Sequence, residues 1–270
     1  MVKLVGILNI TPDSFSDGGK YFDTSKALYH TKELLKDGAD IIDIGAESTR
    51  PNAKILSDKE EWSRLKNTLP QIICEIKNFN QQNSRNVKIS IDSYHFNTIK
   101  RAYELGIDII NDVSGLVNED VIKFIAQNKI TTILMHNLAT HSNPNLIVNQ
   151  HLNINHQIIK WGRKKIKILN EYGVNKQQLI FDPGIGFSKN ATQSIQILKN
   201  INYYRILELP LYIGHSMKSF LNSIDLEGDL KTKTLTVSKF LINKVDYLRV
   251  HDVASHKEIM PFSNFKIANL

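Results

Sequence analysis

The sequence has almost no cysteine and no long apolar run. Cys74 is the only cysteine among 270 residues, which excludes an internal disulfide or a zinc site built from cysteines. Because Cys74 lies among apolar residues, we expect it to be buried. No stretch approaches the roughly 18 apolar residues of a membrane helix, and the apolar run at the N-terminus is too short for a signal peptide. We therefore expect a cytoplasmic protein with no membrane partner.

The positive charge of the chain is not concentrated in a dedicated basic segment. The net charge is +7, from 34 Lys and Arg against 27 Asp and Glu. The densest basic stretch, residues 161–167, keeps its apolar residues at helical spacing, so its cations are predicted to lie on a solvated helix face. A nucleic-acid partner would depend on net charge alone, and we expect none. Small anions remain as candidate ligands.

Short apolar strands alternate with amphipathic helices along the whole sequence. Eight strands are predicted at residues 2–9, 40–44, 88–92, 108–111, 131–135, 179–182, 211–214 and 246–251. Helices are predicted at residues 25–36, 62–79, 95–105, 119–127, 149–171, 192–200 and 232–243, with Pro70 dividing the second, and a weak final helix is predicted from residue 258. This alternation predicts a parallel sheet, and eight units in about 250 residues indicate a single (β/α)8 TIM barrel over residues 1–270. An open doubly wound sheet is the alternative, but no G-x-G-x-x-G follows the first strand.

Asparagine or aspartate lies at the end of five of the eight predicted strands. These residues are Asn9, Asp43, Asp92, Asn111 and Asp182. The carboxyl ends of barrel strands surround the active site in this architecture, so we expect the five side chains to line one pocket. Asp182 alone, before Pro183 and Gly184, is equally compatible with an ordinary strand terminator. The recurrence of the same arrangement favours a ligand site.

The predicted rim separates into two kinds of chemistry. Arg249 and His251 are two residues apart and project to the same face of strand eight, where they need an anionic partner. That partner is either a ligand or a neighbouring carboxylate. Asn9, Thr49 and Arg50 add donors suited to a phosphate or diphosphate, and Lys218 follows strand seven, on the usual phosphate side of such barrels.

The acceptor groups indicate a second ligand moiety. Asp92, Asn111 and Asp182 present oxygen atoms to the interior, as required for a neutral heterocycle rich in N–H donors. The sequence therefore predicts a ligand with a polar ring at its buried end and an acidic group at the rim.

Eight motifs in the same order resemble those of the dihydropteroate synthase family of pterin-binding enzymes. They are GILNITPDSFSDGG at 6–19, DIGAESTRPNA at 43–53, SIDSY at 90–94, INDVSGL at 110–116, LMH at 134–136, DPGIGF at 182–187, SMKSF at 216–220 and RVHDV at 249–253. The resemblance covers essentially the whole chain. It implies a transferase of folate biosynthesis that condenses (7,8-dihydropterin-6-yl)methyl diphosphate with 4-aminobenzoate, giving 7,8-dihydropteroate and diphosphate.

The resemblance also implies roles for individual residues, a Mg²⁺ cofactor, a homodimer and a target for sulfonamides. The implied catalytic residues are Asp92, Asp182, Lys218, Arg249 and His251. The pterin would be held by Asp92, Asn111, Met135, Asp182 and Lys218, and the diphosphate by Asn9, Thr49, Arg50, Arg249 and His251, with Asn9 reaching the metal. Pro51, Phe187 and Ser219 would line the 4-aminobenzoate subsite, and Asp13 and Phe15 would belong to a second mobile loop.

Several positions depart from the family pattern. Met217 stands where an arginine is usual, Ala46 and Asn52 replace glycines, and residues 137–141 replace a Met-Arg-Gly-Thr-Pro run. These departures leave two alternatives open, namely a catalytically impaired pterin-binding protein and a folate-dependent methyltransferase of the same fold group. A methyltransferase would not need the diphosphate donors. An active synthase with altered affinity or sulfonamide response is the expectation.

Overall fold

The computed structural model describes residues 2–11, 24–48, 54–140 and 146–260. Within these ranges lie eight strands: β1 Lys3–Asn9, β2 Ile41–Gly45, β3 Lys88–Asp92, β4 Ile109–Asp112, β5 Thr131–Met135, β6 Leu179–Asp182, β7 Tyr212–Ile213 and β8 Tyr247–Val250. They pair in parallel in the order β6-β5-β4-β3-β2-β1-β8-β7. A parallel bridge between Phe181 and Leu211 joins β6 to β7 and closes the ring. The predicted TIM barrel is confirmed.

Helices follow the strands and surround the barrel. The described residues form α1 Thr24–Lys36, α2 Asp58–Leu65, α3 Leu69–Asn83, α4 Phe96–Leu105, α5 Glu119–Asn128, α6 Ile154–Glu171, α7 Ala191–Lys199, α8 Leu230–Leu241 and α9 Val253–Ile259. Short 3₁₀ helices span Lys176–Gln178, Ile201–Leu207 and Ser219–Ser223. Pro70 lies in the first turn of α3 and divides the predicted second helix as expected. None of the helices in the described ranges is long and apolar enough to cross a membrane.

Two apolar cores lie on opposite faces of the strands. The larger one joins the outer faces of the strands to the helices, as with Leu34 of α1 and Ile99 of α4. The smaller one fills the barrel interior and consists of Val5, Ile41, Ile109, Ile133, Ile180 and Tyr212. Because successive side chains of a strand alternate between faces, the interior residues two and four positions further on point to the barrel mouth. The interior core thus forms an apolar layer beneath the polar residues of the barrel mouth.

Some sequence-based expectations were wrong in detail. Cys74 is exposed, because it lies on the outer face of α3 rather than among the core residues Ile72, Ile73 and Ile76. Asp43 does not end its strand, since β2 continues to Gly45 and leaves the Asp43 side chain fully buried below the rim. Helix α6 begins at Ile154 rather than near residue 149, because the Asn153 side chain caps the backbone N–H of His156 at 3.1 Å.

The C-terminal helix also differs from expectation. Helix α9 covers Val253–Ile259 and is capped by Asp252, whose Oδ1 accepts from the backbone N–H of Ser255 at 2.9 Å. The final helix that was predicted from residue 258 falls mostly on residues outside the described ranges.

Candidate active site

The barrel register brings four strand ends to one level of the mouth. Asn9 of β1 pairs with Gly45 of β2, Gly45 with Asp92 of β3, and Asp92 with Asn111 of β4. A methyl group on Gly45 would lie 3.3 Å from Cβ of Asp92, so glycine leaves room beside this carboxylate. On the other side of the barrel, Met135 of β5 pairs with Asp182 of β6. The structure therefore places these predicted site residues around one opening.

Arg249 enters the site from deeper in the barrel. Its position in β8 pairs with Val5, four residues before Asn9 on β1. The guanidinium donates from Nε to Asp43 Oδ2 at 2.7 Å and from Nη2 to Asp92 Oδ2 at 2.8 Å. The sequence left either a ligand or a neighbouring carboxylate as the anionic partner of strand eight. The structure shows that Arg249 pairs with two carboxylates. These contacts use two of the five N–H groups of arginine, so the guanidinium retains donors for a ligand.

The carboxyl group of Asp92 is electrostatically unusual. Burial raises its pKa to about 7, against the opposing effect of the Arg249 guanidinium, and the nearby charge of Asp43 raises the pKa further. Two carboxylates share one guanidinium here. The site therefore favours a ligand that donates hydrogen bonds or that supplies further positive charge.

Asp182 and the loop after β6 form the wall opposite Asp92. The carboxylate is buried, and its Oδ1 accepts from the backbone N–H of Gly184 at 2.7 Å. Burial raises the pKa of Asp182, whereas the positive charge of Lys218 opposes that effect. Gly184 has φ +68°, and a methyl group there would lie 2.1 Å from the carbonyl oxygen of His136. The glycine is therefore required by the close approach of the β5 loop rather than by a ligand.

Lys218 reaches the same wall from the loop after β7. Its Nζ donates to the carbonyl oxygen of Ile185 at 2.5 Å and lies 4.5 Å from the centroid of the Phe187 ring. Gly186 has φ +78°, and a methyl group there would lie 3.2 Å from Cδ of Lys218, so this glycine lets the lysine pass. Burial lowers the pKa of Lys218 to about 8, although the charge of Asp182 acts in the opposite direction.

The ends of β7 and β8 are joined by a serine and a histidine. Ser216 Oγ accepts from the backbone N–H of His251 at 3.3 Å and lies 2.9 Å from Nδ1 of the same residue. In the tautomer whose Nδ1 accepts from the Ser216 hydroxyl, Nε2 carries the proton and can donate to an anion. Ser219 is exposed and begins the 3₁₀ helix that follows Lys218.

Sequence reasoning missed a buried lysine behind the site. Lys189 is 8% exposed, and its Nζ lies 2.7 Å from the carbonyl oxygen of Phe187, 3.1 Å from that of His136 and 3.0 Å from Nδ1 of His136. Burial lowers the pKa of Lys189 to about 7 and also lowers the pKa of His136. Lys189 thereby links the loop after β5 to the loop after β6. The only sequence signal was its place two residues after the DPGIGF motif.

The remaining predicted residues fall into two groups. Asn9 and Phe187 are half-buried at the mouth, and Met135 is buried beside Asp182 in the register. Asp13, Phe15, Thr49, Arg50 and Pro51 lie outside the described residues. A separate cavity of about 500 Å³ lies beside the first turns of α2, α4 and α5 and is lined by Asp58, Tyr94, His95, Phe96, Asn97, Ser114, Val117, Asn118 and Asp120. None of the predicted site residues lines this cavity.

The geometry has close counterparts among known proteins. Residues 5–251 match the family described as pterin binding enzyme. Dihydropteroate synthase of Clostridium beijerinckii is 35% identical over 255 residues, which cover 93% of this chain and 88% of that protein. The chain belongs to the pterin-binding enzyme family.

Solved structures of family members share the whole fold. Dihydropteroate synthase from Anaplasma phagocytophilum, solved with bound 6-hydroxymethylpterin-monophosphate, is 37% identical with a TM-score of 0.86, over 97% of this chain and 98% of that one. The enzyme from Xanthomonas albilineans, solved with 4-aminobenzoic acid, is 26% identical with a TM-score of 0.83, over 96% of this chain and 91% of that one. The resemblance expected from the eight sequence motifs is confirmed.

Proposed function

We propose that this chain condenses (7,8-dihydropterin-6-yl)methyl diphosphate with 4-aminobenzoate, giving 7,8-dihydropteroate and diphosphate. The observation that supports the proposal is that hydrogen-bond acceptors and cations occur together in one barrel mouth. The acceptors Asn111 and Asp182, which are buried, and Asp92, which is half-buried, suit a ring rich in donors. The positive charges of Arg249 and Lys218 act on the carboxylates of Asp92 and Asp182. Family membership and the ligands of the related structures agree with this chemistry.

The pterin ring occupies the acceptor side of the mouth in this proposal. Asp182 has one oxygen engaged by Gly184, and its second oxygen can accept from the ring. Asp92 likewise keeps one oxygen outside its contact with Arg249. Asn111 adds an amide, Met135 packs against the ring, and the Lys218 ammonium reaches a ring acceptor. A ring with adjacent N–H and NH₂ groups would satisfy the buried carboxylates.

The diphosphate lies on the β7, β8 and β1 side of the mouth. Arg249 supplies its remaining N–H groups, and His251 supplies Nε2–H, held in place by Ser216. The amide of Asn9 lies at the adjacent strand end. Thr49 and Arg50 are proposed as further donors from the loop after β2. Charge-assisted hydrogen bonds of this kind become stronger as negative charge develops on the leaving group.

A magnesium ion fits this arrangement as a companion of the diphosphate. No group of three or more His, Cys, Asp or Glu residues in the described ranges could hold a metal ion alone. Mg²⁺ retains several waters and commonly binds through one or two protein oxygens together with substrate phosphates. The Asn9 amide oxygen is the proposed protein ligand. When bound, the ion would neutralise charge on the departing diphosphate.

The reaction itself needs no protein nucleophile. The bond between the pterin methylene carbon and the diphosphate oxygen breaks, and its electron pair leaves with the diphosphate. The amine nitrogen of 4-aminobenzoate forms the new carbon–nitrogen bond and then releases one proton. Phe187, Ser219 and Pro51 are proposed to line the 4-aminobenzoate subsite, because Phe187 and Ser219 flank Lys218 at the mouth.

A diphosphate-release assay tests the proposed function. Purified protein with the pterin diphosphate and Mg²⁺ is expected to release diphosphate only when 4-aminobenzoate is added. Pterin binding without release would indicate a catalytically impaired protein. The variants Lys218→Met and Arg249→Met should lose at least about tenfold in turnover, because each removes a charge-assisted contact. Unchanged turnover in both would contradict the assigned roles.

We also propose that the chain forms a homodimer. Support comes from the 3₁₀ helix Ile201–Leu207, on which Tyr203 and Ile206 are 46% and 50% exposed. Beside them lies a cavity of about 410 Å³, lined by Ile166, Val174, Ile206 and Leu207 together with Arg163, Lys167, Asn170 and Lys176. Neighbouring exposed apolar side chains such as Tyr203 and Ile206 are typical of a contact between protein chains.

A further inference from the structure

Asp43 is a buried carboxylate at the centre of the polar contacts but below the ligand. It lies on the inward face of β2, between Ile41 and Gly45, and it is fully buried. Its Oδ2 accepts from Arg249 Nε at 2.7 Å and from Asn111 Nδ2 at 3.0 Å. One oxygen thus holds two residues that face the proposed pterin subsite. The chain separation between Asp43 and Arg249 is 206 residues, so the contact depends on the closed barrel.

The contact with Asp43 fixes which way the Asn111 amide points. Asp43 Oδ2 already accepts from the Arg249 guanidinium, so the amide must turn its NH₂ group towards this oxygen. The reverse orientation would place two oxygens against each other. The side-chain oxygen Oδ1 of Asn111 makes no hydrogen bond within the described part of the chain, and it lies on the other side of the amide from the Nδ2 that contacts Asp43. Together with Asp92 and Asp182, this oxygen gives the floor of the pocket three acceptors.

The other oxygen of Asp43 takes no part in these contacts. Asp43 Oδ1 is buried and finds no hydrogen-bond partner among the described residues. An unpaired buried oxygen is destabilising, by about 1–3 kcal/mol in typical proteins. An asparagine of the same shape, with its amide oxygen in the place of Oδ2, could accept from both Arg249 and Asn111, whereas an apolar residue could accept from neither. The orientation of Asn111 therefore depends on the single acceptor Oδ2.

The geometry points to Asp43 as a positioning residue that sets the ligand specificity of the ring pocket by holding the Asn111 amide with its oxygen towards the ring. This inference rests on the proposed function for the identity of the ring. It predicts what happens when the acceptor is removed. In Asp43→Leu, Arg249 and Asn111 lose the shared oxygen, so the Asn111 amide is free to turn and present its NH₂ group to the N–H donors of the ring. In Asp43→Asn, the amide oxygen can take the place of Oδ2 and keep both contacts.

Fluorescence titration with 6-hydroxymethylpterin monophosphate measures the effect without turnover. Asp43→Leu is expected to weaken binding by about 10- to 100-fold, because a ring donor then faces another donor. Ser90→Ala is the matched control, since Ser90 is fully buried and pairs with Asp43 in the register, yet it makes no hydrogen bond within the described residues. The control should bind the pterin within about threefold of the parent protein. Thermal melting shows whether either variant is folded.

The conservative variant separates positioning from simple structural support. Asp43→Asn can keep one oxygen that accepts from both Arg249 and Asn111, so it should bind the pterin at least about tenfold more tightly than Asp43→Leu. The KM for 4-aminobenzoate should stay within about threefold of the parent value in every active variant, since Asp43 does not approach that subsite.

Three results would overturn the inference. They are unchanged pterin affinity in Asp43→Leu, an Asp43→Asn variant that binds no better than Asp43→Leu, and equal losses of pterin and 4-aminobenzoate affinity. The proposed function fails separately. If the parent protein binds the pterin probe but releases no diphosphate, the role of Asp43 is still tested by the titration.

Discussion

Asp182 performs two tasks with one carboxylate. One oxygen closes a turn onto the Gly184 N–H at 2.7 Å, and the second is proposed to accept from the pterin. Asp112 makes the same kind of turn, with Oδ1 accepting from the Ser114 N–H at 2.7 Å. Asp112 follows Asn111 in β4 and therefore points to the opposite face of the strand. Asp112 and Asp182 therefore form the same kind of turn, but only the Asp182 side chain faces the barrel interior.

This comparison gives a matched pair of substitutions. Asp182→Asn keeps an acceptor for the turn but directs an NH₂ group at the ring, so pterin binding should weaken by about 10- to 100-fold with little change in melting temperature. Asp112→Asn should leave pterin binding within about threefold. Pterin titration and thermal melting of both variants check the prediction. Near-normal pterin affinity in Asp182→Asn would refute the assigned role.

Two perturbed groups predict the pH dependence of the reaction. Asp92 has a pKa raised to about 7, so its acceptor charge is gained as the pH rises through that value. Lys218 has a pKa lowered to about 8, so its positive charge is lost as the pH rises further. The value of kcat/KM for the pterin diphosphate should therefore follow a bell with its maximum between the two. Lys218→Arg should extend the alkaline limb, and an unchanged limb would contradict the role of Lys218.

At the scale of elements, the loop after β6 depends on a lysine that touches no substrate in our proposal. Lys189 binds the carbonyl oxygens of Phe187 and His136 and so fixes the aromatic wall of the mouth. Gly184 makes this possible, because only a residue without Cβ allows His136 to approach so closely. Lys189 therefore stabilises the loop after β6, because its hydrogen bonds connect this loop to the one after the neighbouring strand β5.

Lys189→Met tests this role. The variant loses the contacts to both carbonyl oxygens, so Phe187 should shift, the KM for 4-aminobenzoate should rise by about 5- to 20-fold, and the melting temperature should fall by several degrees. The exposed Lys199 at the end of α7 provides the control Lys199→Met, which should change neither quantity. Steady-state kinetics with each substrate and thermal melting give the result. Equal behaviour of the two variants would refute this role.

The titration of Lys189 adds a stability signature. Its pKa falls from 10.5 to about 7 in the folded state, so between these values the unfolded chain binds more protons than the folded one. The free energy of unfolding of the parent protein should therefore rise with pH across this window. Lys189→Met should show a smaller rise. Denaturant unfolding at pH 7 and pH 9 measures the difference, and identical slopes for the two proteins would contradict the buried, titrating lysine.

At the scale of the whole molecule, the barrel explains why the sequence predicted where the site residues lie but not which residues they contact. The alternation of short apolar runs with helical patterns predicted eight strands, and the polar residues at the strand ends predicted the residues of the mouth. Pairings such as Asp43 with Arg249 join opposite ends of the chain and appear only when β1 and β8 meet. The roles of Lys189 and Ser216 depend on loop packing, which no local pattern encodes. The predicted end of the second strand, at Asp43, was wrong by two residues, because Gly45 still pairs with Asn9 of β1 and Asp92 of β3.

The proposed homodimer is tested on the same scale. Ile206→Glu places a charge on the exposed apolar surface of the 3₁₀ helix Ile201–Leu207, and it should convert a dimer to a monomer in sedimentation or light scattering. Val117→Glu is the control, since Val117 is exposed near α5, away from that helix, and should leave the assembly unchanged. A parent protein that is monomeric at micromolar concentration would refute the proposal.

The central claim is that one barrel mouth joins an arylamine nitrogen to the pterin methylene carbon with loss of diphosphate. Incubation of the purified protein with the pterin diphosphate, Mg²⁺ and 4-aminobenzoate labelled with nitrogen-15 at the amine tests it directly by mass spectrometry. We predict 7,8-dihydropteroate that retains the label, formed in equal amount to the released diphosphate. Diphosphate released without labelled product, or product without the label, would contradict the account.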